Sequence, residues 1–150
     1  MMKVLLVSAD PTVREQMGLI AKTVGRRQGT RGLAGGAAAE PVELLEAANG
    51  ARGIALAWKH RPEVVVADQI TSTAGAFALT KELKGADPPF SGRVIVLLDR
   101  KVDEWLARWS GADAWFVKPV DPFALADAVR GSGPPASEVA GAVGPSKEVG

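Results

Sequence analysis

The sequence predicts an α/β fold, a doubly wound five-stranded parallel sheet with helices on both faces. Two observations carry that prediction. Five strand-like runs alternate with five segments of helical period, an alternation that implies right-handed crossovers and a covered parallel sheet. One of the runs, Val64 to Ala67, is apolar without interruption, the pattern of a central strand buried on both faces. A chain of 150 residues also suffices for one domain with a sizeable core.

The first strand runs from Lys3 to Ser8 and stops at Ser8-Ala9-Asp10-Pro11, where Asp10 suits an N-cap and Pro11 the first helical position. Val13, Met17, Ile20 and Val24 then recur at helical spacing, with Arg14, Glu15 and Lys22 between them, and Gly25 is expected to end the helix. Residues 26–40 mix arginine, glycine and alanine without period and read as an exposed flexible loop. Val42 to Ala47 is the second strand. Asn49 and Gly50 turn the chain into a helix with Ala51, Ile54, Ala55 and Trp58 on its expected apolar face, closed by Arg61 and Pro62. After the third strand comes Asp68. Ala76, Leu79, Thr80 and Leu83 mark a short helix, which the stretch from Gly85 to Pro89 breaks. The fourth strand spans Val94 to Leu98, and residues 101–109 read as a helix with Val102, Trp105 and Trp109 in register. A turn at Gly111-Ala112-Asp113 leads to the fifth strand, Ala114 to Val117, ended by Lys118-Pro119. Pro122 opens the last helix, through Arg130, so the domain is placed at residues 1–130. Residues 131–150 form a Gly, Pro, Ser and Ala tail expected to be disordered.

Composition excludes more than it assigns. Eighteen Lys and Arg stand against seventeen Asp and Glu, so bulk charge points neither to a nucleic-acid footprint nor to an acidic substrate. The absence of cysteine excludes disulfides, zinc-thiolate sites and cysteine nucleophiles, and suits a reducing cytoplasm. The apolar stretch before Ser8 is too short for a signal-peptide core or a membrane span, and no membrane insertion is expected. No glycine-rich fingerprint follows a strand, which argues against a dinucleotide binder.

In doubly wound sheets, ligands bind beyond the carboxyl ends of the strands. The residues to search are therefore Ser8, Ala9, Asp10, Asp68, Leu98, Asp99 and Lys118. Taken singly, each has an ordinary explanation: Asp68 as a turn cap, Lys118 as a solvated lysine, Asp10 as the cap of the first helix. His60, at a helix end before Arg61, reads as a C-terminal charge and is given no role.

The words VSADPTVR, RPEVVVAD, RVIVLLD and SGADAWFVKPVDPFAL resemble the corresponding segments of bacterial response-regulator receiver domains, over about residues 2 to 130. More narrowly, GRR, LTKELK, DEWLARWS and VDPFALADAV are similar to a group of atypical stand-alone receivers of actinobacteria. The resemblance implies a flavodoxin-like three-layer sandwich in which Asp68 accepts a phosphoryl group from a phosphohistidine and Lys118 pairs with the phosphoryl oxygens. Elementary chemistry agrees, because a carboxylate attacking phosphorus needs the accumulated negative charge neutralised. The family supplies part of that charge as Mg2+, held by the acceptor aspartate and by two adjacent carboxylates after the first strand. Here Ser8 and Ala9 stand at those two positions, leaving Asp68 and, one residue further along, Asp10 as candidate ligands, the latter through water or a shifted turn. Leu98 replaces the usual Thr or Ser and donates no hydrogen bond. Trp115 stands at the position of the switch aromatic, and the segment Gln69 to Gly75 lacks the familiar Met-Pro.

The expected function is that of a cytoplasmic response regulator in a two-component phosphorelay, modified by a histidine kinase or phosphotransfer protein. Such a domain modifies itself and is not an enzyme in the usual sense. The alternative is a pseudo-receiver, a binding module independent of phosphorylation, motivated by Ser8, Ala9 and Leu98. Direct DNA binding is not expected, because the tail is too short and polar for a helix-turn-helix. Output then passes through a protein partner, with Trp105, Trp109 and Trp115 as candidate contacts on a face built from the fourth helix, fifth strand and fifth helix, which could also form a homodimer. Arg26, Arg27 and Arg31 are read as solvated loop residues.

Overall fold

Five strands and five helices alternate along the chain in the computed structural model, which describes residues 2–31, 41–69 and 75–131. They are β1 (Met2–Val7), α1 (Pro11–Arg31), β2 (Val42–Ala47), α2 (Gly50–His60), β3 (Val64–Asp68), α3 (Ala76–Lys84), β4 (Arg93–Leu98), α4 (Glu104–Ser110), β5 (Ala114–Val117) and α5 (Pro122–Arg130). A single 3-10 turn, Lys101–Asp103, precedes α4 within the segment expected to be uniformly helical. All strand pairs are parallel, in the order β2-β1-β3-β4-β5. The chain leaves β1 toward one edge to make β2 and returns on the other side to make β3, so the topological switch point lies between β1 and β3.

Strand alternation divides the interior into two cores. Val4 and Leu6 of β1, Val64 and Val66 of β3, and Ile95 and Leu97 of β4 face α1 and α5, where Met17, Ala21, Leu125 and Val129 complete the packing. The intervening residues, Leu5, Val7, Val65, Ala67, Val94, Val96 and Leu98, face α2, α3 and α4, against Ala57, Leu79, Leu83 and Ala107. Every residue of β3 is buried, as its unbroken apolar run requires.

Two expectations are corrected. The first helix does not stop at Gly25 but continues through Arg31, into the stretch read as a loop. A glycine inside a helix costs only about 1 kcal/mol relative to alanine, and arginine and glutamine are good helix formers, so Arg26, Arg27, Gln28 and Arg31 carry it on. The remainder of that loop, residues 32–40, and the tail from 132 lie outside the described residues. The buried face of α2 is shifted from the one expected: Ile54 and Trp58 do pack against the core, but Ala51 and Ala55 are exposed, while Gly50, Gly53 and Ala57 are buried. The cause is close approach. A Cβ at Gly53 would come within 2.9 Å of Leu79 Cδ1 and 3.0 Å of Val7 Cγ2, so the missing side chain sets how near α2 lies to β1 and α3. Gly53→Ala is expected to overpack this contact and lower unfolding free energy by about 1–3 kcal/mol in urea denaturation.

Local chemistry fixes the helix starts. Asn49 Oδ1 accepts from Arg52 N at 2.8 Å, and Asp121 Oδ1 from Phe123 N at 3.1 Å with Pro122 beginning α5. Among the described residues no helix is long and apolar enough to cross a membrane.

Candidate functional site

Sheet register brings the site together at the switch point. Val7 of β1 lies opposite Ala67 of β3, so Ser8 and Asp68 arrive side by side at the next step, and Ser8 Oγ donates to Asp68 Oδ2 at 2.7 Å. Leu98 of β4 lies opposite Val117 of β5, which in the same way places Asp99 beside Lys118. Lys118 starts two strands from β3, about 10 Å at the usual strand spacing, and only a long side chain extending over the end of β4 spans that gap. Its Nζ donates to Asp68 Oδ1 and, at 2.9 Å, to Asp99 Oδ1. The peptide bond that follows, Lys118–Pro119, is cis.

Asp68 is completely buried, and both carboxylate oxygens have donors. Burial alone would disfavour the charge on Lys118, but the hydrogen bonds and charges of Asp68 and Asp99 outweigh it, and its pKa is held above the ordinary 10.5. The amine is therefore a fixed cation shared between two carboxylates.

The turn after β1 is held just as closely. Ser8 Oγ accepts from Asp10 N at 3.1 Å while donating to Asp68, so the hydroxyl's donor is committed inward. Asp10 Oδ1 accepts from Thr12 N at 2.9 Å, which makes its carboxylate the cap of α1. Arg14 locks the turn from outside, donating through Nη1 to Ser8 O at 2.6 Å and through Nε to Glu46 Oε1 at 3.0 Å.

This donor set does not fit Mg2+, which favours near-octahedral oxygen coordination anchored by carboxylates. Of the two candidate ligands, Asp68 has both oxygens engaged by donors and Asp10 caps a helix. Ser8 contributes a hydroxyl already in use, and Ala9 contributes no side-chain oxygen. Among the described residues, no group of three or more His, Cys, Asp or Glu side chains is arranged to hold a metal. Leu98 is buried in the α2-α3-α4 core, so the position where the family places a hydroxyl is apolar.

Two further side chains, Asp99 and Gln69, belong to the site without an assigned role from the sequence. Asp99 appeared only as a strand-end position, although a carboxylate directly after β4 and a lysine directly after its neighbour β5 is a legible signal for their pairing. Gln69, next to Asp68, accepts from Asp99 N through Oε1 at 2.6 Å and donates through Nε2 to Asp103 Oδ2 at 2.8 Å. Nothing in the local sequence distinguishes it from a turn residue.

The three tryptophans separate. Trp105 and Trp109 are 59% and 55% exposed, with Val102 beside them at 63%. Trp115 is not a surface contact as expected: it is buried in the α2-α3-α4 core, and the Arg108 guanidinium lies over its ring at 5.6 Å. Alternation along β5 explains this, because Trp115 follows Ala114 of the opposite core and so turns toward α4. Lys81 Nζ of α3 sits 4.5 Å from the Trp109 ring centroid, while Arg108 occupies the β5 side of α4.

A buried strand-end aspartate and a lysine meeting it across a 2-1-3-4-5 sheet define a flavodoxin-like domain of the receiver class, and the comparisons agree. The fold matches the signal receiver domain of a signal transduction histidine kinase from Syntrophus aciditrophicus, with a TM-score of 0.69 and 22% identity over 87% of this chain and 88% of that one. It matches chemotaxis protein CheY4 of Vibrio cholerae with a TM-score of 0.67 and 21% identity over 87% and 97% of the two chains. It also matches a response regulator receiver domain protein from Clostridium thermocellum, with a TM-score of 0.68 and 20% identity over 87% and 93%. In sequence, 81 residues are 33% identical to protein PilH of Pseudomonas aeruginosa, covering 53% of this chain and 67% of that protein. No family model matches the sequence. The chain belongs to the response-regulator receiver domains.

Proposed function

We propose that this chain is a cytoplasmic receiver of a two-component phosphorelay, with Asp68 as phosphoacceptor and Lys118 as the charge that stabilises the transferred group. The observation that carries this reading is the contact of Lys118 Nζ with the buried Asp68 carboxylate at the switch point. A carboxylate oxygen of Asp68 forms the new bond to phosphorus as the P–N bond to a partner's phosphohistidine breaks, and the imidazole nitrogen keeps the electron pair. Lys118, already cationic, neutralises charge that develops on the phosphoryl oxygens. No step is assigned to Mg2+. The partner upstream is a histidine kinase or a phosphotransfer protein. The output partner is a protein that contacts the Trp105 and Trp109 strip, since exposed tryptophans are favoured anchors at interfaces. The domain alters only itself and turns over no external substrate.

A second reading is favoured by the Ser8 Oγ bond to Asp68: a pseudo-receiver in which the hydroxyl and Lys118 lock the aspartate and signalling proceeds by binding alone. Intact-mass measurement after incubation with a small phosphodonor or a phosphohistidine donor decides between them. The first reading expects an adduct of about 80 Da, one phosphoryl group, absent in Asp68→Ala. An unmodified mass with both donors establishes the second.

A further inference from the structure

Leu98 leaves the receiver without the hydroxyl that in its family ties the loop after β4 to the acceptor, yet that loop is tied here by other means. Gln69 directly follows Asp68, and its backbone N–H donates to Leu97 O at 2.9 Å, so its position is set by the β3–β4 pairing. Its side-chain amide then reaches forward. Oε1 takes the Asp99 N–H at 2.6 Å, and Nε2 donates to Asp103 Oδ2 at 2.8 Å. Asp103 is buried, ends the 3-10 turn and immediately precedes α4, two residues before Trp105. Its cationic neighbour is the exposed Arg100, 3.5 Å away. Asp99 meanwhile presents its own carboxylate to Lys118, which holds Asp68.

We propose that Gln69 is a positioning residue that couples the charge state of Asp68 to the start of α4, along Asp68, Lys118, Asp99, Gln69 and Asp103, in place of the hydroxyl missing at Leu98. The coupling works through shared donors. Lys118 divides its N–H groups between two carboxylates, so a change of charge on Asp68 alters how strongly Nζ draws on Asp99. The Asp99 backbone is fixed to one end of the Gln69 amide and the buried Asp103 carboxylate to the other. A planar amide transmits displacement of one end to the other, and a buried carboxylate cannot lose a donor cheaply. Apolar packing at Leu98 supplies no such directional link. The inference relies on the proposed receiver role for its physiological input, but the coupling itself requires no phosphoryl group.

Hydrogen exchange of the α4 amides in four proteins tests it: wild type, Asp68→Asn, Gln69→Leu and the double variant, with no phosphodonor present. Asp68→Asn is expected to change α4 exchange by about fivefold, the lower end of usual coupling between sites, and to change it by less than about twofold in the Gln69→Leu background. Equal effects in the two backgrounds, or no effect of Asp68→Asn on α4 in either, overturn the proposal. If Gln69→Leu does not fold, Gln69→Glu keeps the length while setting a like charge against Asp103, and takes its place under the same criteria. An absent acyl phosphate in the mass experiment would remove the phosphorelay reading and leave this result standing.

Discussion

Lys118→Met is expected to lower the unfolding free energy by about 3 kcal/mol, because it leaves the fully buried Asp68 carboxylate without its cation while preserving most of the lysine stem. The size follows from the asymmetry of buried pairs, where removing one partner costs far more than removing both. The double variant Lys118→Met/Asp68→Asn is accordingly expected to recover most of the loss, since the introduced amide carries no charge and still accepts from Ser8. Alkaline pH gives an independent check. The folded-state pKa of Lys118 is raised above 10.5, so its stabilisation is complete below that value and disappears as pH rises through the raised one. Urea denaturation curves for wild type and Lys118→Met should therefore converge above about pH 11 and stay separated at neutrality. A single variant as stable as wild type at neutral pH would mean that the ion pair does not hold the site together.

Restoring the acidic pair produces the second large effect. The wild type is expected to show no Mg2+-dependent change in thermal unfolding at millimolar metal, whereas Ser8→Asp/Ala9→Asp should unfold earlier without metal and be strongly protected by it. Without metal, the added carboxylates repel Asp68 and the Ser8 donor to Asp68 Oδ2 is gone. With metal, three carboxylates meet at the ends of β1 and β3, and saturating a site at a hundred times its Kd adds about 2.7 kcal/mol. A wild type protected by Mg2+ to the same degree would show that Ser8 and Asp10 rearrange to admit the ion.

Alternation of short strand-like runs with helical periods made the sheet legible, and β3 announced its central place by having no polar residue until Asp68. The same reasoning misplaced what depends on distance between elements. The buried face of α2 follows from Gly53, whose missing side chain matters only against Val7 and Leu79, which lie far away in sequence. The extension of α1 past Gly25 shows the weakness of a lone glycine as a stop. At the site, Asp68 and Lys118 were found by strand-end position and family words. Ser8 was read as an absence, a missing carboxylate, and only the register of β1 against β3 reveals that its hydroxyl occupies Asp68 itself. Gln69 and Asp103 were invisible because each touches a partner 30 or more residues away through a side chain with no sequence signature. Trp115 was misassigned for a related reason: strand parity fixes its side of the sheet, but the sequence does not say which side is covered by α4.

The tryptophans also make the molecule its own optical reporter. The chain has four and no tyrosine, so ultraviolet excitation of its fluorescence goes almost wholly to indole. Two of these rings are more than half exposed on α4, Trp115 is buried, and Trp58 packs edge-on to Phe90 at 5.7 Å. Solvent-facing indoles emit to the red of buried ones, and the ammonium of Lys81 over Trp109 adds a local field that depends on where α3 lies. Anything that settles on that strip must dry the very rings that emit, and its arrival can be followed without attaching a label.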